Sequence, residues 1–284
     1  MNERLVQVEG VRLRALEEGS GPAILALHGF TGDATTMSEV VAGLGDGART
    51  VRLELIGHGG SESPDSIEPY SMPSCVRQVL GVTKALDIGR PHVVGYSMGG
   101  RAALSAAADP SSAFRSLTLI GATAGIEHDD LRKERIVADE RLADRIEREG
   151  LEAFVDDWMA LPLFASQTRL GRSKLAEARA QRLANSPRGL AQSLRGMGAG
   201  AQPPLHERLA SIRIPVLLVV GEEDAKFRDI ASDLEARLPN ARCAIIPNAG
   251  HAAHLEAPEA FRRAFHSFLR GIDDEMKTAT GGCR

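Results

Sequence analysis

Short apolar runs that end at or beside a glycine recur along this chain, and they constrain its fold more than any other feature. They read AILALHG, TVRLELIGHG, PHVVGYS, SLTLIGA, IPVLLVVGEED and ARCAIIPNAGH. Runs this short, with no polar alternation, predict strands buried on both faces. Amphipathic helical patterns fall between them, at roughly 37–44, 73–86, 98–108, 227–237 and 258–270. Ahead of them, RLVQVEG and VRLRALEEG alternate around a glycine and predict an opening hairpin. Apolar strands interleaved with helices predict an α/β domain, with a mostly parallel central sheet covered by helices on both faces. Ligands of such sheets bind at the carboxyl ends of the strands, where His28, Ser97, Asp224 and His251 all fall.

The rhythm stops between 125 and 204. HDDLRKERIVADERLADRIEREGLEAFVDDWMALPLF reads as consecutive helices dense in charge, with no strand. The predicted organisation is a core of 1–124 and 205–272, with a helical cap over 125–204 inserted after the sixth strand. Trp158, Leu161 and Phe164 are its candidates for the underside or hinge. The polar, glycine-containing end, 273–284, is expected to be a flexible tail.

Composition narrows the class of function. The 284 residues are 43% hydrophobic and 25% charged, with a net charge of −4, which argues against a general nucleic-acid surface but leaves room for a local basic pocket. Cys75, Cys243 and Cys283 have neither metal-site nor disulfide spacing and fit a reducing compartment. MNERLVQVEG has no apolar signal core, and no stretch approaches a membrane span. The expectation is a cytoplasmic enzyme with a small-molecule substrate and no metal, cofactor, nucleic-acid or membrane partner; oligomeric state is unspecified.

Gly95-Tyr96-Ser97-Met98-Gly99 lies between a buried run and a helix of small residues, MGGRAALSAAAD. The glycines permit a tight strand-to-helix turn that lifts Ser97 above the sheet edge, with a helix N-terminus behind it. The competing role for Ser97 is a simple helix cap. A serine needs a base to take its proton. His251, on the loop after the last apolar run, is the first candidate, and His254, three residues on, is the alternative. The orienting acid should follow the preceding strand. Asp224 ends GEED, with Glu222 and Glu223 as neighbours that could take its place. The order Ser, Asp, His is that of α/β-hydrolases. LALHGFTGD supplies the remaining part: the backbone N–H groups of Phe30 and Met98 are the predicted oxyanion donors, and His28 is expected to bond loop backbone. Arg101 follows Ser97 by four residues on the same helical face, so its charge can stand beside the reaction centre.

LHGFTGD, IGHGGS, GYSMGGR, GEEDAKF and NAGHAAHLEAP together resemble the α/β-hydrolase superfamily over nearly the whole chain. Tyr96 and Arg101 in GYSMGGR, DDWMALPLF in the cap and GEEDAKFR more specifically resemble the 2-succinyl-6-hydroxy-2,4-cyclohexadiene-1-carboxylate synthase family, lyases of menaquinone biosynthesis. The resemblance implies an anionic substrate with three carboxylates, elimination of pyruvate by a Ser-His-Asp triad, and no cofactor. It also implies substrate contacts at Tyr96, Arg101, Arg135 (with Arg132 as the alternative register), Trp158 and Arg182. Guanidinium groups suit carboxylates because they pair bidentately and stay charged. Glu54 and Ile56 in ELIGHG replace the usual aspartate and proline, and no chemical role is expected of them. A carboxylesterase or C–C bond hydrolase would use the same triad, and a ligand receptor would need none of it.

Overall fold

The computed structural model describes residues 1–281, so Cys283 lies outside the described residues. Its strands are β1 (Asn2–Val8), β2 (Val11–Glu18), β3 (Ala23–Leu27), β4 (Arg49–Leu53), β5 (His92–Tyr96), β6 (Ser116–Ile120), β7 (Val216–Gly221) and β8 (Ala241–Ile246). They form one sheet in the order β1-β2-β4-β3-β5-β6-β7-β8, antiparallel at the first two pairings and parallel at the rest. The opening hairpin turns at Glu9 and Gly10, both in the left-handed region, as a two-residue turn matched to strand twist requires.

The helices are α1 (Ser38–Val41), α2 (Met72–Ala85), α3 (Met98–Ala107), α4 (Asp129–Glu149), α5 (Leu151–Met159), α6 (Arg172–Leu183), α7 (Pro187–Met197), α8 (Ala225–Arg237), α9 (Ala253–Glu256) and α10 (Pro258–Gly281). Successive strand residues face opposite ways, and each face has its own core. Leu25 and Leu27 of β3 join the cluster that holds Val79, Ala103 and Leu234 of α2, α3 and α8. Ile24 and Ala26, one residue out of step, join the cluster of Val40, Phe261 and Phe265 from α1 and α10. The central parallel strands β3, β5, β6 and β7 thus have no wet face, which is why their sequences show continuous apolar runs, whereas the edge strand β8 is partly exposed.

Two boundaries differ from expectation. The pattern at 37–44 yields only a 3-10 turn, Ala34–Met37, and the single turn of α1, because Gly43 and Gly45 both take positive φ and end the helix. At the other end, α10 runs through 273–281, which the sequence assigned to a flexible tail. DDEMKTAT contains no glycine or proline to stop a helix, and Asp273 is tied to Arg115 at 3.3 Å.

Between β6 and β7 the described residues contain no strand. Helices α4 to α7 and a 3-10 stretch, Pro162–Leu170, fill the interval. They share a small apolar cluster of their own: Ala143, Ile146, Phe154, Val155, Leu190, Ala191 and Leu194. Arg195 of α7 braces this layer through Glu140, Asp144 and Glu147 of α4, at 2.7 to 2.9 Å. No helix among the described residues is long and apolar enough to cross a membrane.

Candidate active site

The turn from β5 into α3 brings the serine up from the sheet. Ser97 has φ 50°, ψ −109°, a conformation that costs a non-glycine residue about 1–3 kcal/mol. The strain is held from both sides: Ser97 N–H donates to Ile120 O at 2.8 Å, and Ser97 O accepts from Arg101 N–H at 2.9 Å. Gly95 and Gly99 make the turn sterically feasible. A Cβ on Gly95 would strike the backbone of Gly99 and Gly100, and one on Gly99 would strike the carbonyls of Leu27 and His28.

Three strand-end loops converge on this turn. His251 Nε2 lies 3.2 Å from Ser97 Oγ, and its Nδ1 lies 2.8 Å from Asp224 Oδ2. Asp224 also caps α8, where Oδ1 accepts from Phe227 N–H. The imidazole is 2% exposed and lies against Phe227, ring centroids 4.4 Å apart. The neighbours weighed as alternatives in the sequence are placed elsewhere. Glu222 accepts from Asn248 N–H, Glu223 pairs with Arg169, and His254 is buried against Tyr96 at 4.6 Å. Burial pushes the His254 imidazole down to about 3, so it stays neutral at ordinary pH.

On the opposite side of Ser97, Met98 opens α3, so its N–H has no acceptor within the helix. Phe30 follows the end of β3, and its loop is braced from behind. His28 is fully buried, with Nδ1 at 2.8 Å from Gly29 O and Nε2 at 3.0 Å from Leu55 N. Burial lowers its pKa, and the neutral ring donates at Nδ1 and accepts at Nε2, so the histidine ties two loops together. Glu54, to which the sequence reading gave no role, braces the same region. Its buried carboxylate accepts from Arg14, from Ala34 N–H at 3.2 Å and from Gly60 N–H at 2.6 Å.

A cavity of about 740 Å³ opens between this centre and the cap. Ser97, Met98, His251, Phe30, Tyr96 and Arg101 line it from the core, and Arg135, Trp158, Leu163, Phe164 and Met197 from the cap. Trp158 meets Phe30 edge-to-face at 5.3 Å and Phe164 at 5.8 Å. Leu161 is not in the wall; Leu163 takes the place expected of it. Arg101 donates from Nη1 to Met197 O at 2.8 Å and to Gln202 Oε1 at 3.0 Å, both neutral oxygens. Burial, reinforced by the Arg135 charge, lowers its pKa to about 10, so the group remains a cation at neutral pH. Arg135 lines the cavity and pairs with Asp139 at 2.8 Å, whereas Arg132 pairs with Asp129 and is outside the wall. Arg182 is not in the wall either. It is half-buried near enough to Tyr96 to interact with it electrostatically, with Nη1 folded back on Ala178 O at 2.8 Å, and desolvation lowers its pKa. His206 and Lys226 also line the cavity; Lys226 stands within GEEDAKF, but the sequence reading gave a role to neither.

A strained serine at a helix N-terminus, in line with a buried His–Asp pair, is an arrangement built for proton transfer at one oxygen. Comparison with known proteins agrees with the geometry. A family model for the alpha/beta hydrolase fold matches residues 22–258. A Bacillus subtilis (strain 168) protein, provisionally named a 2-succinyl-6-hydroxy-2,4-cyclohexadiene-1-carboxylate synthase, is 39% identical over 93% of this chain and 97% of its own. The synthase of that name from Salmonella agona (strain SL483) is 33% identical over 88% of this chain and 94% of its own. A solved structure of MenH from S. aureus superposes with a TM-score of 0.86 at 30% identity, covering 91% of this chain and 98% of that one. The chain therefore belongs to the alpha/beta hydrolase fold family and, within it, to the 2-succinyl-6-hydroxy-2,4-cyclohexadiene-1-carboxylate synthase family.

Proposed function

We propose that this protein is a carbon–oxygen lyase that eliminates pyruvate from a cyclohexene tricarboxylate, with Ser97, His251 and Asp224 as its catalytic unit. One observation beyond family membership supports the reading most: two guanidinium groups, Arg101 from the core and Arg135 from the cap, line the same cavity as the serine. A neutral ester has no use for them, whereas a polycarboxylate does.

In this reading His251 takes the Ser97 proton, and the serine oxygen removes a ring proton from the substrate. The electron pair moves into the succinyl carbonyl, whose oxygen is met by the N–H groups of Phe30 and Met98. The dienolate then collapses: the carbonyl is restored, a second ring double bond forms as the carbon–oxygen bond breaks, and the departing enolate of pyruvate takes the proton held on His251. Asp224 orients the imidazole and stabilises its cation. Trp158 and Tyr96 flank the ring. Arg182 joins the carboxylate contacts by leaving Ala178 O. The substrate is anionic and the enzyme cytoplasmic.

The apolar wall of Leu163, Leu194 and Met197 would suit a small ester equally well, and this keeps carboxylester hydrolysis as the second reading. Offering both substrates separates them. Pyruvate release from the tricarboxylate, far faster than hydrolysis of a neutral short-chain ester, is the expected result. Rapid ester turnover with no pyruvate formed would replace the lyase reading with the second.

A further inference from the structure

His251 is held by more than its aspartate. On the far side of its loop lies Glu256, the last residue of α9, with a side chain only 2% exposed. Its Oε2 accepts from Gly250 N–H at 2.7 Å and its Oε1 from Ala252 N–H at 3.0 Å. One carboxylate therefore grips the peptide groups on both sides of the histidine.

The cap reaches the same loop. Ser166, in the 3-10 stretch Pro162–Leu170, packs against Gly250 so closely that a Cβ there would strike it. From the same stretch, Arg169 sends Nη1 to Glu223 at 2.9 Å and Nη2 to Asn248 O at 3.1 Å, with Glu256 Oε2 at 3.9 Å from Nη2. Glu223 immediately precedes Asp224, and Asn248 opens the histidine loop. A single cap residue thus touches the loop of the acid and the loop of the base.

We infer that Glu256 is a positioning residue that fixes the His251 imidazole between Asp224 and Ser97, and that Arg169 couples this position to the cap. The inference rests on the reading of Ser97, His251 and Asp224 as the catalytic unit. Bonds from N–H to an ionised carboxylate are roughly twice as strong as neutral ones, so the loop backbone is the stiff part of this link. The exposed Arg169–Glu223 pair adds little energy. Arg169 matters through where it places the cap stretch. At 3.2 Å, the His251–Ser97 contact has little distance to spare. A misplacement of about 1 Å can lower a rate on the order of 100-fold.

Glu256→Gln keeps the shape but turns an amide NH₂ toward one of the two N–H donors. The test compares wild type, Ser97→Ala, Glu256→Gln and Arg169→Met in two measurements: kcat and KM for pyruvate release, and the rate of covalent labelling by a fluorophosphonate. In Glu256→Gln, kcat and labelling should both fall about 30- to 100-fold, with KM changed by less than about threefold, as expected for a displaced base. Arg169→Met should lower kcat about 3- to 10-fold, again without a matching rise in KM. A Glu256→Gln enzyme labelled at the wild-type rate, or one whose loss lies in KM alone, overturns the inference. If Glu256→Gln does not fold, Arg169→Met decides: an unchanged kcat overturns the inference, and a fall in kcat at constant KM supports it. Wild-type enzyme that is labelled no faster than Ser97→Ala would remove the catalytic unit and this inference together.

Discussion

The sheet and the cap are built from different materials. The central strands β3, β5, β6 and β7 are largely apolar and buried, and the candidate triad residues Ser97, Asp224 and His251 stand on turns beyond the ends of β5, β7 and β8. The cap is charge-dense. Its α6 buries no residue, and its helices are joined by one small apolar cluster and by arginine–carboxylate contacts on the surface. Surface pairs of this kind contribute little to stability, whereas burying a large apolar side chain contributes about 1.5–3 kcal/mol. The contrast teaches a division of labour. A stiff core holds a strained serine, a buried histidine and Arg101 within one cavity, and the looser layer closes that cavity with Arg135, Trp158 and Phe164.

The sharpest way to break that division is to remove chemistry from the core without disturbing its packing. Ser97→Ala should lower turnover by on the order of 10⁴-fold or more, while the melting temperature changes little, because alanine keeps the same backbone conformation and loses only the Oγ contact to His251. His251→Ala should lose about as much. His254→Ala should lose far less in turnover, with its deficit in stability; if the two histidines exchange these outcomes, the base has been misassigned.

A second test separates the regions by acid. His58 and His254 are fully buried, and burial holds each at about 3 in place of the ordinary 6.5. The unfolded chain takes up their protons near pH 6.5, and the folded core refuses them until about pH 3. Stability is therefore full above that window and falls as pH drops through it, by up to about 1.4 kcal/mol per pH unit for each histidine. Urea titrations between pH 7.5 and 4.5 should show this slope, and His254→Leu should flatten it. A pH-independent midpoint over that range would mean that these rings are not buried as neutral groups.

The smallest expected effect belongs to the cap. Arg195→Ala removes three contacts to α4 and should destabilise the protein by only about 1 kcal/mol or less, since its partners are half-exposed. Hydrogen exchange should quicken in α4 and α7 and remain unchanged in β5 to β7. Faster exchange in those strands would show that cap and sheet open as one unit.

The same contrast explains what could be read from sequence. The strands were legible because burial on both faces writes an uninterrupted apolar run. The serine turn was legible because its glycines are sterically required. Asp224 and His251 could be ranked above their neighbours from their positions at strand ends, although only the folded loops separate Asp224 from Glu223. The cap was harder. In a segment where arginine and glutamate alternate on every face, no pattern says that Arg135 turns inward while Arg132 turns toward Asp129, or that Arg182 folds back on its own helix. Leu163, His206 and Lys226 reach the cavity, and Arg169 reaches the histidine loop, through tertiary placement alone. The end of the chain differs for another reason: its polar residues suggested fraying, yet none of them breaks a helix before Gly281, and α10 continues that far.

The most direct test of the division between a catalytic core and an anion-reading cavity is paired kinetics on Arg101→Ala, with the tricarboxylate and a neutral ester as substrates and a melting curve alongside. If Arg101 reads a substrate carboxylate, kcat/KM for the tricarboxylate should fall by about 2–4 kcal/mol, while ester hydrolysis falls far less and the melting temperature stays close to wild type. Arg101→Lys should restore only part of the loss, because an ammonium cannot pair bidentately. Equal losses on both substrates, with a lower melting temperature, would contradict this: Arg101 would then be a brace between α3 and the cap through Met197 and Gln202.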